Sequence, residues 1–431
     1  MKRVLIVFHS FDAWEMGAIR IRRIARHLGR FGFEPLVLTS PATGNSTADI
    51  PESVRILRAN ALDLAELYGR LRGARATHQA GSGRINRDIG LTTAINRWLM
   101  VPDKQIPWKS PALRLARELL RREPVDLIFG SLAPRTNLLV ATQLAREFRL
   151  PCAVEFRDLW TANMYRHLDQ PTRLHRALHA RLERRVIRAA DRVFALSQAL
   201  ADRLGAAHRE NLRAPVETHY NFFDPAEFEG LPARHRGPGS PFIISYVGQF
   251  YIRRDPAPFF QGLRRFIDAY RLTPDQFRFR WAGASFGLAH LEDTIRSLQL
   301  DPYIDYLGHR AHREALALLC DSDLALIVQA PGDAVHVPGK LFEPLGARVP
   351  ILAVSEPCET ADLVLKTRAG FVAPHDPDAI AAALGEARRW SQSGRPWEYD
   401  ETQRARFSVD GALSRLAASF EDLLAETANR R

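Results

Sequence analysis

The sequence of 431 residues predicts an α/β protein made of two doubly wound, parallel-sheet domains in tandem, facing a cleft. Three observations carry that expectation. Short apolar runs alternate with segments of helical period along nearly the whole chain. The length exceeds what one hydrophobic core usually supports. The alternation also lapses once, near the middle, and then restarts.

In the first half, residues 4–8 read as a strand and 19–31 as a helix, with Ile21, Ile24, Ala25 and Leu28 at helical spacing. A strand at 35–38 follows, then a helix at 113–122, a strand at 125–130, a helix at 138–148 and a strand at 152–158. Residues 174–190 read as helix, 192–197 as strand and 198–204 as helix. The lapse runs over about 208–240, where RHRGPGSP marks a boundary by its Pro, Gly and charge. Strands are then expected at 241–248, 277–283, 305–308, 324–328, 350–355 and 371–374. Helices are expected between them at 256–270, 288–298, 312–320 and 377–390. The ending carries Leu413, Leu416, Phe420, Leu423 and Leu424 on one face of an amphipathic helix. The expected domains are therefore 1–215 and 241–400, with a linker at 216–240 and a helix in 401–431 that packs back toward the first domain.

Composition narrows the class. An apolar share of 46% and a charged share of 25% are ordinary for a globular protein and exclude a disordered or fibrous chain. The cysteines, Cys152, Cys320 and Cys358, show no paired spacing, which excludes a disulfide framework and a cysteine zinc site. That suits a reducing compartment, so the sequon at Asn45 means little. MKRVLIVFHS has five consecutive apolar residues and reads as a first strand rather than a signal segment. No run is long enough for a membrane span. Charge is uneven: residues 1–220 hold 36 Lys and Arg against 21 Asp and Glu, whereas the remainder is slightly acidic. A basic half suggests a polyanion or an anionic membrane surface, or simply arginine-rich solvated helices. In the stretch 60–110, Ile95, Trp98, Leu99 and Met100 mix with Arg97, Lys104 and Lys109, as on a membrane interface, an acceptor loop or a packed surface helix.

Several attractive patterns fail on spacing. Six residues separate Gly332 from Gly339-Lys340, and Leu341 stands where a phosphate-binding loop needs Ser or Thr. Asp321-Ser322-Asp323 precedes a strand rather than following one, as capping aspartates do. His175 and His179 lack a third ligand, and His309 and His312 lack partners, so no metal is expected. No Gly-x-Ser-x-Gly elbow is present, and Cys152 lies in an apolar strand.

The stretch PGKLFEPLGARVPIL, from Pro338 to Leu352, is more informative. A helix over about 340–347 would present amides, its dipole and the mobile charge of Lys340 to an anion. Glu343 would repel phosphate, but a carboxylate accepts well from two vicinal hydroxyls, as on a ribose. Taken alone, the same pair also fits an ordinary helix start.

GKLFEPLGARVPILAV closely resembles the nucleotide-sugar segment of the GT-B glycosyltransferases, family 4 in particular. VEFRDLWTAN (154–163), LERRVIRAADRVFALSQALADRL (182–204) and YVGQFYIRRDP (246–256) resemble three further segments of that family in the same order. VPDKQIPWKSPAL and DLIFGSLAPRTNLLVA are similar to cell-wall and polysaccharide members. The resemblance spans nearly the whole chain and implies two Rossmann-like domains. It implies a hexosyltransferase-type enzyme moving a sugar from a nucleotide-sugar to a saccharide or lipid-linked acceptor, with retention and without a metal or other cofactor. By the same resemblance Gly248 lets the backbone approach the donor phosphates, Arg253, Arg254 and Lys340 neutralise the leaving diphosphate, and Glu343 holds the ribose. Asp158 and Arg157 would lie toward the sugar or acceptor, and Gly17 and Arg20 on the acceptor-side loop. Many family members carry a second glutamate eight positions earlier, where this chain has Val335, which leaves the donor sugar open; Asp333 or His336 could substitute. The expected partners are thus a nucleotide-sugar, the acceptor and an anionic membrane surface, with no nucleic acid. The expected place is cytoplasmic, peripheral at the inner face of the cell membrane. A nucleotide-sugar 2-epimerase and a non-catalytic sugar-nucleotide binder are the rival readings.

Overall fold

In the computed structural model, residues 1–13, 15–41, 54–60, 100–163, 170–232, 239–251, 254–286 and 290–429 are described. They fall into two units. Met1–Leu196, Leu200–His219 and Leu413–Arg431 form the first, and Ser197–Ala199 with Tyr220–Ala412 form the second.

The first unit is a seven-stranded sheet in which every pair is parallel. Its strands are β1 (Lys2–Val7), β2 (Phe33–Thr39), β3 (Arg55–Arg58), β4 (Leu127–Ser131), β5 (Cys152–Phe156), β6 (Arg192–Ala195) and β7 (Glu217–Thr218). Their spatial order is 3-2-1-4-5-6-7, so the direction of winding reverses at β1. Strands β4 and β5 are buried along their whole length, as a parallel sheet covered on both faces requires. The covering helices are α1 (Met16–His27), α2 (Lys109–Arg122), α3 (Thr136–Phe148), α4 (Arg173–Ala189) and α5 (Gln198–His208). Strand β3, RILR, has exposed ends at the sheet edge, and its polar pattern hides it from an apolar search. The C-terminal helix Val409–Asn429 supplies Phe420 to this core, with ring centroids 5.6 Å from both Phe33 and Phe129.

The second unit repeats the plan. Strands β8 (Phe242–Val247), β10 (Phe277–Ala282), β12 (Ile304–Gly308), β13 (Leu324–Val328), β14 (Ile351–Val354) and β15 (Gly370–Ala373) form a parallel sheet in the order 12-10-8-13-14-15. A short pair, β9 (Phe250–Tyr251) and β11 (Ser285–Phe286), extends beyond the ends of β8 and β10. Helices α6 (Ala257–Tyr270), α7 (His290–Ser297), α8 (His312–Cys320), α9 (Phe342–Ala347), α10 (Glu359–Lys366), α11 (Pro377–Gln392) and α12 (Glu401–Ala405) complete it. Phe259, Phe260, Phe266, Phe277 and Phe279 build the centre of its core. Helix α11 starts where the Asp376 carboxylate caps the amide of Ala379 and Pro377 takes the first turn.

Two expectations need correction. Residues 220–232 are not a loose linker: Phe223 is buried against Leu341, Phe342 and Phe407, so this segment and residues 401–412 belong to the second unit's core. The helix expected over 340–347 is split into a single 3-10 turn, Gly339–Leu341, and the six-residue α9. Pro344 has no N–H to return to the Lys340 carbonyl, so the α-ladder cannot extend back through Lys340. No helix among the described residues is long and apolar enough to cross a membrane. Of the aromatic-basic stretch, residues 61–99 lie outside the described residues.

Candidate functional site

In the second unit the predicted donor residues gather at the end of β8, the strand at which the sheet order reverses. The apolar run FIISYV keeps β8 buried up to Val247, and Gly248 then turns with φ +148. Its N–H donates to the Ala282 carbonyl at 2.7 Å and its carbonyl accepts from Trp281 Nε1 at 3.2 Å. A Cβ on Gly248 would stand 1.2 Å from Lys340 Nζ, so the glycine is what admits the lysine. Gly283 performs the same service, since its Cβ would meet the Gly248 carbonyl oxygen at 1.7 Å.

Lys340 enters from the 3-10 turn and lays its ammonium 5.1 Å from the centre of the Tyr246 ring. Tyr246 is fixed in turn by a parallel stack on Phe250, with centroids 3.9 Å apart. Among the described residues none hydrogen-bonds Lys340 Nζ. Burial, with Arg254 adding repulsion, pushes its pKa down to about 7 against the pull of Glu343. Arg254 lies over the Tyr251 ring at 5.2 Å, and its buried Nε has no hydrogen-bond partner among the described residues. Lys340, Arg254, Glu343 and Gly248 are therefore brought together, whereas Arg253 lies outside the described residues.

Glu343 opens α9 with its side chain only 6% exposed, and His312 Nδ1 stands 3.9 Å from its carboxylate. The other nitrogen of His312 meets Glu227 at 2.9 Å. The sequence left His312 without partners; both are supplied by tertiary contacts. Upstream, the Asp333 carboxylate accepts from the amides of Val335 and His336, both at 3.2 Å, and meets His336 Nδ1 at 2.9 Å. Burial raises the Asp333 pKa, but these contacts outweigh it and hold the carboxyl below its ordinary range. Gln329 Nε2 donates to the carbonyls of Asp333 and His336, both at 2.7 Å, and Ser197 Oγ donates to that of Val335 at 2.6 Å. The two residues considered as stand-ins for the missing glutamate are thus tied to each other. The decoy Asp323 accepts from the Ile243 amide and from Ser391, and Asp321 pairs with Arg280.

In the first unit, Gly17, Arg20, Arg157 and Asp158 collect where β5 ends and α1 begins. A Cβ on Gly17 would stand 1.2 Å from Arg157 Nη1. The guanidinium of Arg157 donates to the carbonyls of Leu132 and Ala133 and covers the Phe8 ring. Asp158 is exposed beside it. Arg20 is instead buried in an ion pair with the fully buried Glu155, at 2.6 Å, and also donates to the His219 carbonyl. Burial raises the Glu155 pKa, but Arg20 and a hydrogen bond from Ser131 win and keep it ionised. The RDLW segment is anchored from below: Trp160 Nε1 donates to His179 Nδ1 at 2.9 Å and Gln170 donates to the Trp160 carbonyl. His9, which follows β1, was not singled out by the sequence. Burial and Lys104 push its pKa down to about 4, so the imidazole beside Ser10 is neutral near pH 7.

Residues 17–221 match the model of the glycosyl transferase 4-like domain. Among curated proteins no sequence matches the chain. Similar solved structures include sucrose-phosphate synthase from Thermosynechococcus elongatus, 14% identical, with TM-score 0.67 and coverage of 99% of this chain and 100% of that one. Anabaena HepE in complex with UDP and glucose is 15% identical, with TM-score 0.64 and coverage of 98% and 100%. The lipopolysaccharide outer core galactosyltransferase WaaB is 12% identical, with TM-score 0.57 and coverage of 99% of each chain. The two doubly wound units thus share the GT-B fold of these structures, and residues 17–221 are similar to the glycosyl transferase 4-like domain.

Proposed function

We propose that this chain moves a sugar from a nucleotide-sugar donor onto a saccharide or lipid-linked acceptor in the synthesis of cell-surface glycans. The observation that carries the reading is the cluster of Gly248, Lys340, Arg254 and Glu343 in the second unit. It offers a mobile cation, a second cation and a carboxylate around a backbone stripped of side chain. A nucleoside diphosphate asks for that combination: positive charge for the pyrophosphate, a close backbone, and an acceptor for vicinal hydroxyls. Related structures hold UDP or UDP with glucose, which supports a nucleotide-sugar as the ligand. In the reaction, Lys340 and Arg254 stabilise the charge that grows on the leaving diphosphate, and Glu343 orients the nucleoside through its ribose. Asp158 and Arg157 belong to the acceptor side. The reading extends to hexosyl transfer with retention, with protein cations in the place a divalent metal would take. The basic first unit favours an acceptor held at an anionic membrane.

Calorimetry with a panel of nucleoside diphosphates and nucleotide-sugars tests it. At least one diphosphate should bind, and Glu343→Ala should weaken the nucleoside diphosphate far more than inorganic diphosphate. Absence of binding across the panel, or an unchanged affinity in Glu343→Ala, overturns the donor site. Turnover after chelator treatment tests the role given to the cations. A non-catalytic sugar-nucleotide binder is the second reading, favoured by Val335. Tight binding without slow hydrolysis of any nucleotide-sugar would select it.

A further inference from the structure

The N-terminal part of helix α4 is built inside out for a helix on a water-exposed surface, although its last turns bury Val186 and Ile187 in the ordinary way. It buries His175, His179 and Glu183, held by Thr172, Trp160 and Thr161 respectively. Meanwhile it leaves Leu174 56% exposed and Leu178 40% exposed, two of the large apolar side chains most open to solvent among the described residues. Leu174, Leu178, Arg181 and Arg185 follow one another at spacings of four, three and four, so they share one outward stripe.

Beside that stripe, between α4 and the C-terminal end of α3, lies a groove of about 1070 Å³ lined by Arg146, Arg149, Arg181, Arg184, Arg185 and Arg188. Asp191 and Arg213 also line the groove and neutralise each other, and on the neighbouring α2 Arg117 is neutralised by Glu147. Among the described residues no carboxylate pairs with Arg146, Arg181, Arg184 or Arg185. The groove therefore concentrates positive charge that water and salt must screen. Lys109 on the neighbouring α2 registers it: burial and then the repulsion of Arg185 hold its pKa below the ordinary lysine value.

We propose that this face of the first unit, the outward stripe of α4 with its arginine groove, docks the protein on an anionic phospholipid bilayer. The leucines enter the headgroup boundary and the arginines bind lipid phosphates. Nucleic acid would use the arginines but has no role for the leucines, and the stripe offers no aromatic side chain for stacking. The proposal deepens the reading of an acceptor at a membrane and rests on it for its purpose. The binding itself needs no sugar transfer.

Co-sedimentation with vesicles of phosphatidylcholine, with and without about 40 mol% phosphatidylglycerol, tests it. The full chain should pellet with the anionic vesicles, less so as salt rises, and not with phosphatidylcholine alone. At about 1 kcal/mol for each basic residue near the surface, the triple change Arg181→Glu, Arg184→Glu, Arg185→Glu should lower partitioning by about 100-fold. Leu174→Ser with Leu178→Ser should lower it by about tenfold while keeping the salt dependence. These positions are exposed, and unchanged circular dichroism would confirm the fold. Equal pelleting by wild type and the arginine variant overturns the proposal, as does equal pelleting with neutral vesicles. Binding of a duplex RNA through the same arginines without vesicle binding overturns it too. Calorimetry with UDP on the same variants keeps the two readings apart, because unit-two binding should not change. Vesicle binding without any nucleoside diphosphate binding breaks the donor reading alone.

Discussion

Each unit presses a basic side chain against a glycine near the end of its sheet, and the two contacts are used differently. In the first unit Gly17 makes room for Arg157, but the guanidinium is occupied by the carbonyls of Leu132 and Ala133. In the second, Gly248 makes room for Lys340, whose ammonium has an aromatic ring beneath it and no hydrogen-bond acceptor among the described residues. A cation whose donors are taken holds a loop; one whose donors are left over can hold a ligand. The same asymmetry appears in the carboxylates. Glu155 is consumed by Arg20 and Ser131 in the interior, whereas Glu343 stands 3.9 Å from His312 Nδ1 and its charge reaches Lys340. The first cluster is therefore built to stabilise and the second to bind.

That contrast can be broken experimentally. The largest effect is expected from Arg20→Met, which strands Glu155 in the core and should lower unfolding stability by about 3–5 kcal/mol, read in denaturant titrations. If Arg20 instead serves the acceptor directly, stability will hold while the KM for acceptor rises. Gly248→Ala should leave the fold intact and reduce nucleoside diphosphate affinity by about 100-fold, because the new Cβ displaces Lys340 and strains a positive φ. Gly17→Ala, by contrast, should appear as lost stability with diphosphate affinity unchanged.

Lys340→Met comes next, with an expected loss of about tenfold or more in nucleoside diphosphate affinity and no loss of stability, since burial already works against the ammonium. The smallest effect is the pH dependence. A Lys340 pKa lowered to about 7 leaves the amine mostly neutral at pH 8–9, and a bound diphosphate would raise that pKa. Wild-type affinity should therefore fall as pH rises from 7 to 9, by no more in total than the Lys340→Met loss, with proton uptake on binding visible as buffer-dependent heat. In Lys340→Met the profile should be flat. A wild-type profile that is also flat between pH 7 and 9 would mean that Lys340 does not meet the phosphate.

Much of this was legible in the residues. Unbroken apolar runs marked the main parallel strands, because those strands are covered on both faces, and the 3.6-residue period marked most helices. The short edge strands β3 and β7 were missed, since a strand with one covered side and polar ends carries no such run. The Lys340–Glu343 pair was visible, but not the break between them, which depends on one proline amide. His312 could not be found by motif, because it acquires its place from distant segments, and the ring of Tyr246 meets Lys340 only through the fold. The linker expected over 216–240 failed for a related reason: Phe223 and Phe228 look like loop residues until the core they fill is assembled.

The sequence by itself determined two doubly wound units, the place of the glycine that ends β8 and the charges available around it. Those properties follow from local periodicity and from residue chemistry, which a linear chain displays. Only the tertiary structure decided which charges are spent and which remain. Pairing is set by distance across the fold: it joined Arg20 to a glutamate 135 residues away and left Lys340 its donors, while packing turned Leu174 and Leu178 of α4 outward.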